Sequence, residues 1–369
     1  MMFRNKIAIL IFVLTYLKPG IKLFAQKPIY TFKTFAGSVD NEHKDGPREH
    51  ARLRSPEGIA MDTEGNLFIT EYRSSIVRKI NAAGEVTLFA GKVNETGFKD
   101  GQDALFDRPH GAAVDKEGNV YVCDMKNHLI RKITKNGFVS TYAGTPKISG
   151  ATDGPANMAQ FNQPEDLAFD SKGNLYIADS YNFTIRKITK NGIVSTLAGT
   201  TGKGAYKNGP GSVALFNKPL GICVDVFDNL YIADADYDGK EPGNCLVRKI
   251  DLSGRVSTYA GVPTQDRHKD GPKLKAHFNR PVGIEVDMHG NIYIADTEAD
   301  LIRMITKNGE VITLGGQYLQ ELSQEGIGEG AAFFDPQSLV ISSNGNLFIT
   351  DTHNNKIIIG TKINESKLK

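Results

Sequence analysis

A pattern that occurs six times along this chain limits the possible folds more than any other feature of the sequence. Each copy contains a proline, an apolar segment, a turn ending in Asn and a second apolar segment, and five copies continue into an Arg-containing segment. The prolines are Pro56, Pro109, Pro164, Pro219, Pro281 and Pro336, separated by 53, 55, 55, 62 and 55 residues. Six copies at nearly one period predict an array of equivalent units.

The third copy shows how each unit is built. Residues 166–169, 175–178, 184–188 and 193–197 are short strand-like segments, and turns with glycine follow the first and third of them. Glycine reaches the positive φ that tight hairpin turns need. Four strands in each of six units predict an all-β fold, a six-bladed β-propeller of four-stranded antiparallel blades. The predicted blades lie near residues 56–91, 109–144, 164–199, 219–261, 281–316 and 336–360.

The two ends of the array complete each other. A fourth strand ending in glycine follows the third strand in the first five copies, but the sixth copy stops without one. A matching segment, Thr-Phe-Lys-Thr-Phe-Ala-Gly, occurs at residues 31–37. We therefore predict that residues 30–37 pair with the last blade and close the ring, because closure removes the exposed sheet edges that promote aggregation.

These motifs resemble the NHL repeat family. The first copy reads Pro-Glu-Gly-Ile-Ala-Met-Asp at 56–62, Gly-Asn-Leu-Phe-Ile-Thr at 65–70 and Ile-Val-Arg-Lys-Ile at 76–80, and the resemblance covers roughly residues 30–360. It implies a six-bladed propeller related to gluconolactonase-like and lyase propellers. It does not select a function, since NHL propellers include ligand-binding ectodomains, protein-interaction platforms and RNA binders, and the related group includes metal-dependent hydrolases and lyases.

The N-terminal residues predict export. Arg4 and Lys6 precede an apolar run at residues 7–17, and Leu-Phe-Ala at 23–25 offers a cleavage site. We interpret residues 1–25 as a signal peptide, with an uncleaved N-terminal anchor as the alternative, and residues 26–369 as a single propeller domain. The predicted location is secreted, periplasmic or at the cell surface.

Composition limits the partners of the mature chain. It carries 40 Lys and Arg against 42 Asp and Glu, so we expect no nucleic-acid partner. No other apolar run is long enough to cross a membrane. Three cysteines, an odd number, argue against a disulfide framework. We expect a monomer held together by packing alone.

Candidate site residues follow the repeated prolines. Long connections precede each proline and should share one face with the loops between the second and third strands, a usual place for binding. The residues after the prolines should surround the channel mouth, where Glu57, His110, Glu165 and Gln337 are polar. Glu285 occupies a position that is Ala, Cys or Val in the other copies. A hydrated channel without any ligand would also accommodate these groups.

The fourth copy contains an acidic insertion. Asp234, Asp236 and Asp238 alternate before Gly239, as at the start of an EF-hand-like Ca²⁺ loop, and Glu241 follows. Cys245 stands where the bidentate Glu of that motif would be. The alternatives are a weak Ca²⁺ site and an acidic surface loop.

Two functions fit this sequence. The first is an exported binding or interaction scaffold, with a protein, glycan or small molecule bound by the long-loop face and Ca²⁺ as the one candidate cofactor. The second is a metal-dependent lactonase- or lyase-like enzyme at the channel mouth. We favour the scaffold, because no nucleophile elbow, zinc-protease motif or phosphate-binding loop is present.

Overall fold

Six antiparallel sheets arranged as blades form the molecule. The structure is a computed structural model, and it describes residues 27–235, 244–263 and 268–363. The innermost strands of neighbouring blades contact one another around the ring, the last blade contacting the first. No helix in the described part of the chain is long and apolar enough to cross a membrane.

The strands are numbered along the chain, and the first three blades use β2 to β15. Blade 1 contains β2 (Gly46–Pro47), β3 (Pro56–Met61), β4 (Leu67–Glu71), β5 (Ile76–Ile80) and β6 (Glu85–Gly91). Blade 2 contains β7 (Pro109–Val114), β8 (Val120–Asp124), β9 (Leu129–Ile133) and β10 (Val139–Ala143). Blade 3 contains β11 (Gly154–Pro155), β12 (Asp166–Phe169), β13 (Leu175–Asp179), β14 (Thr184–Ile188) and β15 (Ile193–Gly199).

The last three blades use β16 to β29 and β1. Blade 4 contains β16 (Gly209–Pro210), β17 (Pro219–Val224), β18 (Leu230–Asp234), β19 (Leu246–Ile250) and β20 (Arg255–Ala260). Blade 5 contains β21 (Gly271–Pro272), β22 (Pro281–Val286), β23 (Ile292–Asp296), β24 (Leu301–Ile305) and β25 (Glu310–Gly316). Blade 6 contains β26 (Gly326–Ile327), β27 (Pro336–Ile341), β28 (Leu347–Asp351), β29 (Lys356–Lys362) and β1 (Tyr30–Gly37). Short 3₁₀ turns are at Met125–Asn127, Ser180–Asn182, Thr297–Ala299, Gly328–Gly330 and Thr352–Asn354.

The six-bladed all-β prediction is confirmed, with one refinement. Five blades carry a fifth, two-residue strand from the preceding long connection, paired with the outer strand, as Gly46 pairs with Val86. In blade 2 the same connection makes only a single bridge, between Gly101 and Val139, so that sheet has four strands. The long connections are therefore attached to the blades at their outer edges.

The ring closes as the sequence predicted. Strand β1 pairs antiparallel with β29, with Thr31 opposite Thr361 and Phe32 opposite Gly360. Phe32 is 1% exposed and packs edge-on against Phe333, 5.3 Å between ring centroids. Both ends of the described chain thus belong to one sheet.

The hydrophobic core lies between blades. One cluster joins Tyr121 and Ile130 of blade 2 to Leu175 and Ile177 of blade 3, and equivalent clusters recur around the ring. Phenylalanines from the long connections also enter the core, where Phe106, Phe161, Phe216 and Phe278 are fully buried. In the sixth connection the buried ring is Phe333. The three cysteines are buried, and no disulfide joins them in the described part of the chain.

The once-per-blade Arg and acidic residues form ion pairs inside one blade. Arg186 is fully buried and donates from Nη1 to Asp179 Oδ2 at 2.8 Å and from Nη2 to Asp153 Oδ1 at 2.6 Å. The second acid comes from the long connection, so the guanidinium fastens that connection to its own blade. Blade 6 has Ile358 opposite Ile349, in the register where Arg186 lies opposite Ile177.

Neighbouring inner strands approach so closely that glycine is required. A Cβ added at Gly221 would lie 2.0 Å from the carbonyl oxygen of Val282 in the next blade, far inside van der Waals contact. Blades 1, 2 and 5 also have glycine two residues after the proline, but blades 3 and 6 have Asp166 and Ser338 there. These two exceptions place polar side chains at the channel.

Candidate functional site

The inner strands begin on the face that carries the loops between the second and third strands. Tyr72 in such a loop donates its backbone N–H to the carbonyl of Ser55, just before Pro56, and Thr297 donates in the same way to Arg280. Long connections and these loops are therefore hydrogen-bonded to each other on one face, as predicted. We call this the mouth face.

Glu57, His110 and Glu165 lie on three successive blades at the mouth face, as the sequence predicted. His110 Nε2 is 3.5 Å from Glu57 Oε2, and the two side chains are 15% and 13% exposed. His110 Nδ1 is 3.0 Å from the main-chain oxygen of Glu165. The histidine therefore bridges the carboxyl group of one blade and the backbone of another.

The contacts of His110 define how protons are held at this site. A carbonyl oxygen can only accept a hydrogen bond, so Nδ1 must carry the proton and Nε2 of the neutral ring is an acceptor facing Glu57. Burial raises the pKa of Glu57 to about 8, with Asp335 and Glu165 adding to the rise and Arg280 opposing it. Burial also lowers the pKa of His110. At neutral pH the pair therefore holds a proton between a carboxyl oxygen and an imidazole nitrogen.

Other mouth residues do not complete a metal site with this pair. Glu165 directs its carboxylate to Lys218 Nζ, 3.5 Å away, and Gln337 donates to Asp335 at 3.0 Å. Within residues 27–235, 244–263 and 268–363, no three His, Cys, Asp or Glu side chains converge closely enough to hold a metal ion. The donor set of the metal-dependent alternative does not fit this arrangement.

Glu285 lines the channel below the mouth, together with a second acid that the sequence analysis missed. The channel encloses about 220 Å³. Most of the residues that line it have apolar side chains, but Asp166 and Glu285 line it as well. Asp166 Oδ2 accepts from the N–H of Ile222, and Glu285 Oε1 accepts from the N–H of Val286. Burial raises the pKa of both carboxyl groups to about 7. The replacement of a repeated glycine by Asp166 was the signal that could have revealed it.

Basic residues at the mouth face were also missed. The positions immediately before the six prolines are occupied by Ser55, Arg108, Gln163, Lys218, Arg280 and Asp335. Lys126, from the neighbouring loop of blade 2, reaches Gln163 Oε1 at 2.6 Å. Reading the residue before each proline as well as the residue after it would have found Arg108, Lys218 and Arg280, but not Lys126.

Of the four candidate Ca²⁺ ligands, only Asp234 lies among the described residues. Asp234 is fully buried, binds Arg248 Nη1 at 2.7 Å and accepts the N–H groups of Asn217 and Lys218, as its counterparts do in other blades. Asp236, Asp238 and Glu241 lie outside the described residues. The carboxylate of Asp234 is thus already engaged by structural partners.

Comparison with known proteins identifies NHL repeats in this chain. Residues 106–133 and 161–188 match the model of the NHL repeat. The chain is an NHL-repeat β-propeller. SUPPRESSOR OF QUENCHING 1 of Arabidopsis thaliana is 30% identical over 332 residues, which are 83% of this chain and 30% of that protein. NHL repeat-containing protein 2 of Gallus gallus is 29% identical over 316 residues, 75% of this chain and 42% of that protein. The propeller therefore spans less than half the length of these relatives.

Solved structures share the propeller fold at low identity. An auxiliary nutrient binding protein from Bacteroides thetaiotaomicron has a TM-score of 0.65 and 14% identity, covering 91% of this chain and 76% of its own. A gluconolactonase from Xanthomonas campestris has a TM-score of 0.58 and 13% identity, covering 91% and 95%. A virginiamycin B lyase from Staphylococcus aureus has a TM-score of 0.56 and 17% identity, covering 90% and 100%. At these identities the likeness establishes the fold alone.

Proposed function

We propose that this NHL propeller is an exported binding protein that holds a small polar ligand at the channel mouth. The observation that carries the proposal is the His110 bridge between Glu57 and the Glu165 backbone, at the centre of the mouth face. These groups supply hydrogen-bond donors and acceptors in a partly buried site, while the buried Leu220 and Val282 fill the equivalent positions of blades 4 and 5. Small-molecule sites commonly combine a few fixed polar groups with apolar lining.

Structural neighbours support binding as the activity. The Bacteroides protein that shares the fold is described as a nutrient-binding protein. The extra acidic groups below the mouth also favour a hydrated, polar ligand over a purely apolar one, since Asp166 and Glu285 add carboxyl groups to the channel lining. Ordered loops on a rigid ring can present such a site without rearrangement.

The test is ligand screening of the mature chain by thermal unfolding. A ligand that binds only the folded state at about 100 times its Kd adds about 2.7 kcal/mol to the free energy of unfolding. We expect stabilisation by at least one class among saccharides, amino acids and organic acids, and loss of that shift in His110→Gln. The matched control is Glu64→Gln, an exposed change in a turn on the opposite face. Binding that survives His110→Gln would place the ligand elsewhere.

A second candidate function is acid–base catalysis. The Glu57–His110 contact favours it, because burial brings the pKa of Glu57 to about 8, near the working range of a general acid. Structural neighbours include a gluconolactonase and a virginiamycin B lyase. Turnover of lactone or cyclic-depsipeptide substrates that is lost in Glu57→Gln would establish this function. Turnover unchanged in that variant would exclude Glu57 from it.

Export is proposed from residues 1–25 alone, which lie outside the described residues. Expression with and without these residues, followed by cell fractionation, tests it. We expect the full chain to reach the extracytoplasmic fraction with Gln26 as its new N-terminus, and the shortened chain to stay in the cytoplasm. An intact N-terminus on exported protein would indicate an anchor.

Calcium stabilisation is proposed from Asp236, Asp238 and Glu241, since Asp234 already pairs with Arg248. Calcium should raise the midpoint of thermal unfolding of the wild type relative to chelator, and Asp236→Ala should remove the difference. An equal midpoint in calcium and chelator would mean that this insertion is an acidic loop.

A further inference from the structure

Basic side chains form an arc on the mouth face, at positions where the repeat does not require a basic residue. Arg108 and Lys218 precede their prolines in blades 2 and 4, and Lys126 lies in the loop after β8. Ser55 and Asp335 occupy the position of Arg108 and Lys218 in blades 1 and 6, so the propeller can be built without cations there. We call Arg108, Lys126 and Lys218 the cationic arc.

Neutral groups hold two members of this arc in place. Arg108 donates from Nη1 to the hydroxyl of Tyr72 at 3.1 Å, and its guanidinium carbon lies 5.3 Å from the centre of that ring. Lys126 donates to the side-chain oxygen of Gln163 at 2.6 Å. In the part of the chain that the structure describes, neither cation has a carboxylate within 4 Å. Their positive charges are therefore held in place without a direct ion pair.

The three cations of the arc act on one another. Burial has the largest effect in lowering the pKa of Lys126, and Arg108 and Lys218 add to it, while Asp107 and Glu165 oppose it. Lys218 lies 4.5 Å from the centre of the Tyr181 ring and 3.5 Å from Glu165 Oε1, so it connects the arc to the residues around His110. Like charges kept close together raise the energy of the empty site, and an anion placed among them would lower it.

We propose that the cationic arc binds the oxyanion of a small acidic saccharide, whose hydroxyl groups are bound by Glu57 and His110. This rests on the proposed function of the mouth as a small-ligand site. The planar Arg108 fork suits a carboxylate or sulfate, and Lys126 and Lys218 add charge without a fixed geometry. The Glu57–His110 pair holds a proton and offers a donor and an acceptor, which suits neutral hydroxyl groups.

The experiment compares three probes by isothermal titration at low and moderate salt. The probes are trigalacturonate, its fully methyl-esterified form and sodium sulfate. The ester keeps the hydroxyl groups of trigalacturonate but lacks its charge, and sulfate carries charge without hydroxyl groups. Trigalacturonate should bind at least ten-fold more tightly than the ester, and the advantage should shrink as salt rises, because exposed charges are screened. Arg108→Gln and Lys126→Gln should each reduce trigalacturonate affinity by about ten-fold, the size of a charge-assisted hydrogen bond.

Controls separate this inference from the proposed function. Lys190→Gln removes an exposed cation from a turn on the opposite face and should leave all affinities unchanged. Equal affinity for trigalacturonate and its ester would overturn the acidic-ligand inference while leaving a ligand site at the mouth. Sulfate binding as tightly as trigalacturonate would overturn the saccharide part. Failure of every probe to bind would overturn the inference, and the mouth site would then depend on the wider ligand screen.

Discussion

The second and third strands of each blade and the inner strands bury charge in different ways. In the second and third strands, Asp179 and Arg186 form a fully buried pair 2.8 Å apart, and the same arrangement recurs in four other blades. In the inner strands, Asp166 and Glu285 are single acids without a buried cation, each with a raised pKa. In five blades the repeated acid is matched by an arginine, whereas the acids that occur once are left to protonation, water or a ligand.

The closing blade tests this contrast, because it keeps the acid but lacks the arginine. Asp351 is fully buried and accepts hydrogen bonds from the N–H of Phe334 and the side chain of Asn354. Burial raises its pKa to about 7. At this position blade 6 therefore holds a buried acid without an arginine partner, as the channel does and as the other blades do not. A repeated acid is retained for its backbone hydrogen bond even where its ion pair is lost.

The largest expected effect comes from breaking a repeated pair. Arg186→Met should lower the free energy of unfolding by about 3–5 kcal/mol, because it leaves Asp179 buried without a cation. It should also release the long connection that Arg186 holds through Asp153. Urea unfolding at pH 7 measures the loss. Arg255→Met, the same change at an exposed position, should cost less than about 0.5 kcal/mol.

A smaller loss is expected from filling the space between inner strands. Gly221→Ala places a methyl group against the backbone of Val282, so blades 4 and 5 must move apart. We expect a loss of about 1–3 kcal/mol, as for other overpacked sites. Gly330→Ala, where an added Cβ meets no atom within 4 Å, is the matched control. Equal stability of the two variants would contradict the close approach.

Removing the charge of Asp351, the unpaired acid of blade 6, should raise the free energy of unfolding at alkaline pH, whereas the two changes above lower it. The folded-state pKa of Asp351, about 7, is above the ordinary value of 3.8, so the folded state holds more protons between these values. Stability from this group is present at low pH and is lost as pH rises to about 7. Asp351→Asn should therefore be more stable than the wild type at pH 8 by about 1 kcal/mol, with the difference shrinking towards pH 5. Asp179→Asn should be destabilising at both pH values.

The smallest effect on stability should come from the channel. Glu285→Gln should change the free energy of unfolding by less than about 1 kcal/mol at pH 5, where the wild-type carboxyl group is protonated. At pH 9 the variant should be the more stable protein, because the raised pKa of Glu285 makes ionisation unfavourable in the folded state. Urea unfolding at both pH values measures this. A loss as large as that of Arg186→Met would mean that Glu285 is part of the framework.

The repeated features of this propeller could be predicted from the sequence, because six copies average out local ambiguity. Blade number, strand order within blades and closure by residues 30–37 follow from matching copies and from the one missing strand. The partner of Arg186 could not be predicted, since Asp153 and Asp179 are brought together only when the long connection folds back onto its blade. The burial of Phe333, in contrast, could have been predicted, because Phe333 lies three residues before Pro336, as Phe278 lies before Pro281.

Candidate site residues were predicted where they replace a repeated residue type, and missed where only one position of each repeat was compared. Glu285 was found in this way, and Glu57 and His110 were found because they directly follow the repeated prolines, but Asp166 was overlooked as the first residue of a strand. The contact between His110 and the Glu165 backbone depends on how far adjacent blades are rotated, which no local pattern encodes.

The pairing of β1 with β29 has a consequence for how the protein is made. Strand β1 is synthesised about 320 residues before its main partner, Lys356–Lys362. Until the sixth copy is made β1 has no strand to pair with, and five blades can assemble only as an open arc. The first strand of the propeller is thus the last to be incorporated, so a chain stopped before β29 cannot complete the ring.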